Sequence, residues 1–219
     1  MKINSYVVIN IITVLVNILN LYAFRYEHGN NEKKSVNKIF VVAMFAMNII
    51  LANFIVYIYN GSNIINAKLM ILISMMWPIA YIDFKEKRIP NKILIIMLIA
   101  RAVILIPELA LLGNISQTLI SMVIATVAVI IACVLCCLIV KGAIGMGDIK
   151  LFCVMAIYLG LEGIWSAIFC SLIVSFVIAV FSLATKRVNR KDNIPFAPAI
   201  LIGTYLSIFL TSLRRRIAN

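Results

Sequence analysis

Acidic side chains are scarce in this chain: there are eight, against twenty lysines and arginines, in 219 residues. Histidine occurs once, at His28. The "CVLCC" segment holds one CxxC, Cys133 to Cys136, and no second CxxC accompanies it. Zinc sites of the paired-CxxC kind therefore lack their ligands, and Cys133, Cys136, Cys137, Cys153 and Cys170 read as small apolar packing residues. No run of small residues marks a cleavage site after the first apolar stretch, residues 6–24, where Arg25 and Tyr26 follow at once. That stretch reads as a retained helix and not as a removed signal peptide. No soluble domain, repeat array or low-complexity tail is visible.

What the chain has in abundance is apolar surface. Hydrophobic residues make up 64% of it, and the mean hydropathy is +1.09. A soluble domain is about half apolar. The excess falls in runs near the bilayer-spanning length of about 20 residues, at 6–24, 39–59, 64–82, 93–112, 117–140, 149–159, 164–184 and 194–213. Backbone groups in lipid must be satisfied internally, so these segments are helices. The fold class is all-α, a polytopic membrane helical bundle of about eight transmembrane helices. Pro107 is expected to bend or end the fourth.

Net charge is +12. In a soluble protein that would point to nucleic acid. Here fourteen of the twenty basic residues lie in the alternate loops 25–38, 83–92, 141–150 and 185–192. They mark a cytoplasmic side facing anionic lipid, so the bilayer is the partner and nucleic acid is not. Arg214 to Arg216 run against an eight-span count.

Among the acids, Asp83 ends the third run and Asp148 begins the sixth. With the loop assignment above, both sit at the cytoplasmic boundary at one depth. An ionisable group there is costly unless paired, hydrated or functional. Two carboxyls that approach closely do not both ionise easily. One can deprotonate a water while the other donates to a carbonyl oxygen, the chemistry of aspartic proteases. The plainer reading makes each a solvated helix-end residue, with Asp148 favoured at a positive helix start. Gly142, Gly145 and Gly147 precede Asp148 in "GAIGMGDIKLF". Glycine allows tight backbone and close approach of another chain, or simply breaks the chain between spans.

"GMGD" resembles the Gly-x-Gly-Asp motif of intramembrane aspartic proteases. "GMGDIKLF" is similar to the second catalytic segment of the type IV prepilin peptidases, and "DFKEKRIPN", residues 83–91, to their first. "IPFAPAILIG", residues 194–203, resembles their C-terminal helix entry. The three occur in the family's order. The resemblance implies a six-helix peptidase core over residues 64–219, with residues 1–63 as two added helices and a short cytoplasmic loop. It implies that Asp83 and Asp148 are catalytic and that no metal or organic cofactor is needed. It implies endoproteolysis at the cytoplasmic membrane face, removing a basic leader from type IV prepilins or pseudopilins after a glycine. Larger members carry a zinc-binding segment between their first two spans and methylate the product. Here "RYEHGNNEKKSVNK" has no cysteine, which makes methyl transfer doubtful.

The remaining motif residues have two readings each. Lys150 balances charge or touches substrate, or it snorkels. Pro90 and Asn91 suit a helix start or lie against the substrate. Pro195 and Pro198 shape an active-site loop or kink a helix. Asn10, Asn17, Asn20, Asn48 and Asn53 are expected to hydrogen-bond between helices. An alternative function is a cation- or proton-coupled transporter that uses intramembrane acids. Two acids at one face, with no paired broken helices at midplane, speak against it.

Overall fold

The computed structural model describes residues 2–28, 38–59, 62–113, 115–140, 144–185 and 195–218. The loop positions 29–37, 141–143 and 186–194 hold Gly142 and much of the loop charge, and they lie outside the described residues. Among the described residues there are seven helices and no strand. They are α1 (Lys2–His28), α2 (Lys38–Tyr59), α3 (Asn63–Glu86), α4 (Asn91–Leu112), α5 (Ile115–Ile139), α6 (Met146–Ala184) and α7 (Ala197–Ala218). All seven are long and apolar enough to cross a membrane. The chain is an all-helical, multi-pass membrane protein.

The difference from eight runs lies in α6, which has 39 residues. A straight helix of that length would reach about 58 Å, nearly twice the roughly 30 Å of bilayer hydrocarbon. It is not straight, because Gly160 stands at φ 68°, ψ −173° inside it. Only glycine adopts that conformation without strain. The expected runs 149–159 and 164–184 are the pieces on either side of this break. Breaking a helix orphans a backbone donor. Ser121 of α5 meets one of them: Leu161 N–H donates to its Oγ at 3.1 Å. Pro107, by contrast, does not end α4, which runs on to Leu112.

The chain forms two compact units. One comprises Met1–Pro78 with Asn91–Ile115. Its core is apolar, with Ile9, Phe24, Met44, Met70, Ile73 and Met97 among the buried side chains. Rings of Phe24, Phe40 and Trp77 pack in sequence, with centroids 6.2 Å apart at each step. Lipid gives apolar helices no reason to prefer one another, so polar contacts specify the pairing. Asn10 Nδ2 donates to Asn53 Oδ1 at 3.1 Å, and Asn48 Nδ2 to Asn17 Oδ1 at 2.6 Å, joining α1 to α2.

Asn20 has a different task. Pro78 lies inside α3 and has no N–H, so the carbonyl of Ser74, four residues earlier, loses its helical donor. Asn20 Nδ2 supplies one at 2.8 Å. A bond lost within α3 is replaced from α1.

The same unit holds an ion cluster. Glu108 accepts from Lys68 Nζ at 2.6 Å through one carboxylate oxygen and from Arg101 Nη1 through the other. Arg101 and Glu108 are buried. Lys68 of α3 with Arg101 and Glu108 of α4 forms one staple between the two helices.

The second unit comprises Ile79–Pro90 with Ser116–Asn219. Its main packing is α6 against α7. Here small residues let backbones meet. A β-carbon on Gly203 would lie 2.4 Å from Ser171 Cα, so only glycine fits. Ser166 and Ser207 share a hydrogen bond of 2.7 Å across the same interface. This contact places the start of α7. The cysteines of "CVLCC" are free thiols on α5, Cys133 buried and Cys136 exposed.

Candidate active site

Asp83 lies in the last turn of α3 and is 6% exposed. Local chemistry ends the helix just beyond it. Lys87 has a left-handed backbone, φ 52°, and its N–H donates to the Asp83 carbonyl at 2.8 Å. This is the single-bond left-handed helix stop, a place usually taken by glycine. Lysine there carries strain of about 1 kcal/mol or more. The chain then turns through Ile89 and the buried Pro90, and Asn91 opens α4.

Asp148 sits in the first turn of α6, half-buried, with Gly145 as the helix cap. Gly145 has an ordinary extended backbone, φ −70°, ψ 143°, so conformational freedom is not what the motif uses. Space is. A β-carbon at 145 would stand 2.9 Å from Asp148 Oδ2. A β-carbon at 147 would stand 3.0 Å from Ile89 Cβ. The first glycine makes room for the carboxylate. The second lets the chain leaving Asp83 lie directly on the start of α6. That contact brings the turn leaving Asp83 against the residue next to Asp148.

A third segment completes the site. The Ala197 N–H, at the first residue of α7, donates to Asp83 Oδ2 at 2.8 Å. The Phe196 carbonyl accepts the first helical bond, from Ile200 N–H at 3.0 Å, so Phe196 is the cap residue. N–H groups of a helix's first turn have no partner within the helix, so Ala197 is free to serve a carboxylate. Pro195 and Pro198 bracket this pair of residues. Phe196 packs edge-on against Phe152, ring centroids 5.9 Å apart at 70°. Phe152 is one helical turn beyond Asp148, on the same face of α6.

Of the residues singled out in the sequence, the structure therefore brings together Asp83, Asp148, Gly145 and Gly147, with Pro195 and Pro198 flanking the donor. Lys150 and Asn91 are exposed. Two residues beyond Asp148, Lys150 is rotated by roughly 200° around α6 and points to another side. Ile89, Phe152, Phe196 and Ala197 lie inside the three quoted segments but carry no chemical signal of their own. For Phe196 and Ala197 the hint is the two prolines three apart, which fix the backbone of what lies between them.

The profile of the type IV leader peptidase family matches residues 70–184, more than half of the chain and inclusive of both aspartates. A prepilin leader peptidase/N-methyltransferase of Bacillus subtilis (strain 168) is 32% identical over 144 residues, which cover 63% of this chain and 53% of that protein. The chain thus spans about half the length of this curated relative. No solved structure matches it. Profile, relative and the paired aspartates agree: the chain belongs to the type IV leader peptidase family.

Proposed function

We propose that this protein is an intramembrane aspartic endopeptidase that removes the basic leader of type IV prepilins or pseudopilins at the cytoplasmic membrane face. The observation that carries the reading is one carboxyl from the end of α3 and one from the start of α6, with the segment that leaves Asp83 packed through Ile89 on Gly147, the residue before Asp148. Asp83 and Asp148 are the catalytic residues. One is ionised and takes a proton from a water. That water's oxygen bonds to the scissile carbonyl carbon while the other carboxyl gives its proton to the carbonyl oxygen. The tetrahedral species collapses as the C–N bond breaks. The newly protonated carboxyl delivers its proton to the leaving nitrogen, and the other recovers its own. A free carboxyl and a free amine result, and the pair returns to its starting charge.

Gly145 and Gly147 support the pair by leaving room, and Pro90, Pro195 and Pro198 by setting the segments beside it. The Bacillus subtilis relative's name also includes N-methyl transfer. We keep the proposal to hydrolysis, because the segment 25–38 carries no cysteine to build a zinc site.

The test is cleavage of candidate prepilins by purified protein in detergent or vesicles, with the mass of the new N-terminus measured. Asp83→Asn and Asp148→Asn should each abolish cleavage with membrane insertion intact. Substantial turnover by either variant removes the two-carboxyl mechanism.

A further inference from the structure

The proposed chemistry needs one carboxyl ionised and one protonated, and it does not say which. Asp148 stands in the first turn of α6, whereas Asp83 stands in the last turn of α3 and against the first residue of α7, where a negative and a positive helix end meet. Helix fields therefore do not make Asp83 the ionised member. The hydrogen bonding does. Asp83 accepts a backbone N–H at 2.8 Å, and the bond is buried. A donor to an ionised oxygen forms a charge-assisted bond, roughly twice as strong as one to a neutral carboxyl. The bond therefore favours the ionised form of Asp83. Asp148 turns its Oδ2 back to the cap residue, in space cleared by Gly145, and is served there by one backbone N–H, that of Gly145, where Asp83 is served by two, those of Ala197 and Phe196.

We propose that the Ala197 N–H makes Asp83 the ionised, water-activating member of the pair and leaves the proton on Asp148. Ala197 and its holders, Phe196 and Phe152, are then positioning residues of the site. Their effect runs through the geometry: Phe152 follows Asp148 on α6, its ring holds Phe196, and the next residue's N–H holds Asp83. Of the charged groups on the segments around the pair, Lys87 and Lys92 are exposed. Lys85 lies over the Tyr81 ring, 4.8 Å from its centroid, and Arg88 pairs with Glu86 at 2.6 Å. Lys150 on α6 is exposed, and α7 has no charged residue before Arg214. Asp148 is the charge that faces Asp83.

This inference rests on the two-carboxyl reading above. Ala197→Pro tests it. The first residue of a helix is where proline is best tolerated, so the substitution removes the N–H and keeps the helix start. Ala197→Val adds similar bulk and keeps the donor. Cleavage of prepilin is measured as kcat/KM against pH. The acid limb reports the group that must be ionised, in its coupled pair. Losing a donor to a carboxylate makes ionisation harder, so in Ala197→Pro this limb should move upward by about one pH unit. In Ala197→Val it should stay at the parental pH, whatever crowding does to the rate.

Should Ala197→Pro fail to fold, Phe196→Leu loosens the ring contact and should move the same limb upward by less. An unmoved acid limb in every folded variant, or movement of the basic limb alone, overturns the assignment. Failure of the underlying reading looks different: Asp83→Asn or Asp148→Asn would still cut.

Discussion

The contact between Asn20 and Ser74 permits a sharp test of how this membrane protein is held together. Pro78 deprives the Ser74 carbonyl of its helical donor, and Asn20 Nδ2 replaces it at 2.8 Å. Asn20→Leu keeps the volume and removes the donor. Leaving a buried carbonyl unpaired costs about 1–3 kcal/mol. Polar contacts between membrane helices average about 0.6 and reach about 1.7 kcal/mol. A cost near 1 kcal/mol follows, a fall in Tm of about 2–4 °C for a chain of this size. The single variant is ambiguous, because the buried Asn20 Oδ1 has no hydrogen-bond partner among the described residues. Deleting it removes one cost while creating another.

A double-mutant cycle with Pro78→Ala cancels that term. Alanine at 78 restores the N–H that the helix itself uses, so Asn20→Leu should lose most of its effect in that background. Thermal unfolding in detergent, or unfolding in vesicles, gives the four stabilities. A coupling of about 1 kcal/mol is expected. Additivity of the two substitutions would mean that Asn20 does not stand in for the missing helical bond.

Glu108→Gln keeps the shape of the ion cluster and leaves Lys68 and Arg101 as neighbouring cations with no anion between them. Unpairing a buried charge costs about 3 kcal/mol or more, so a fall in thermal stability is expected, partly recovered by Lys68→Met. An unchanged unfolding temperature would sink the idea of a staple. Gly147→Val pushes the Ile89 segment away from α6, where a β-carbon already meets Ile89 Cβ at 3.0 Å. Misplacement of that order costs about 100-fold in rate, while Met146→Leu, at an exposed position, should cleave at close to the parental rate. Ile89→Gly, which removes the Cβ that is met, should recover activity lost in Gly147→Ala, and no recovery would show that the contact with Ile89 is not what the glycine serves.

Much of this protein is settled by local composition. Runs of about 20 apolar residues force helices, because lipid offers the backbone no partner. The breaks between them are polar, glycine-rich or proline-bearing, so their order is legible. The two aspartates stand out because ionisable groups at apolar helix ends are rare. The interhelical asparagines stand out for the same reason, and they do pair.

What the sequence did not disclose depends on distance in space. Gly160 breaks α6 where the hydropathy shows only a lull between two runs, because hydropathy carries no dihedral angle. Glu108, Arg101 and Lys68 are 40 residues apart at the widest, and no short-range pattern announces that one carboxylate serves two cations. The donor to Asp83 is a backbone N–H 114 residues away, on an alanine. A main-chain group has no letter of its own in a sequence. Only the docking of α7 on α6, through a glycine that admits Ser171, brings it to the carboxylate.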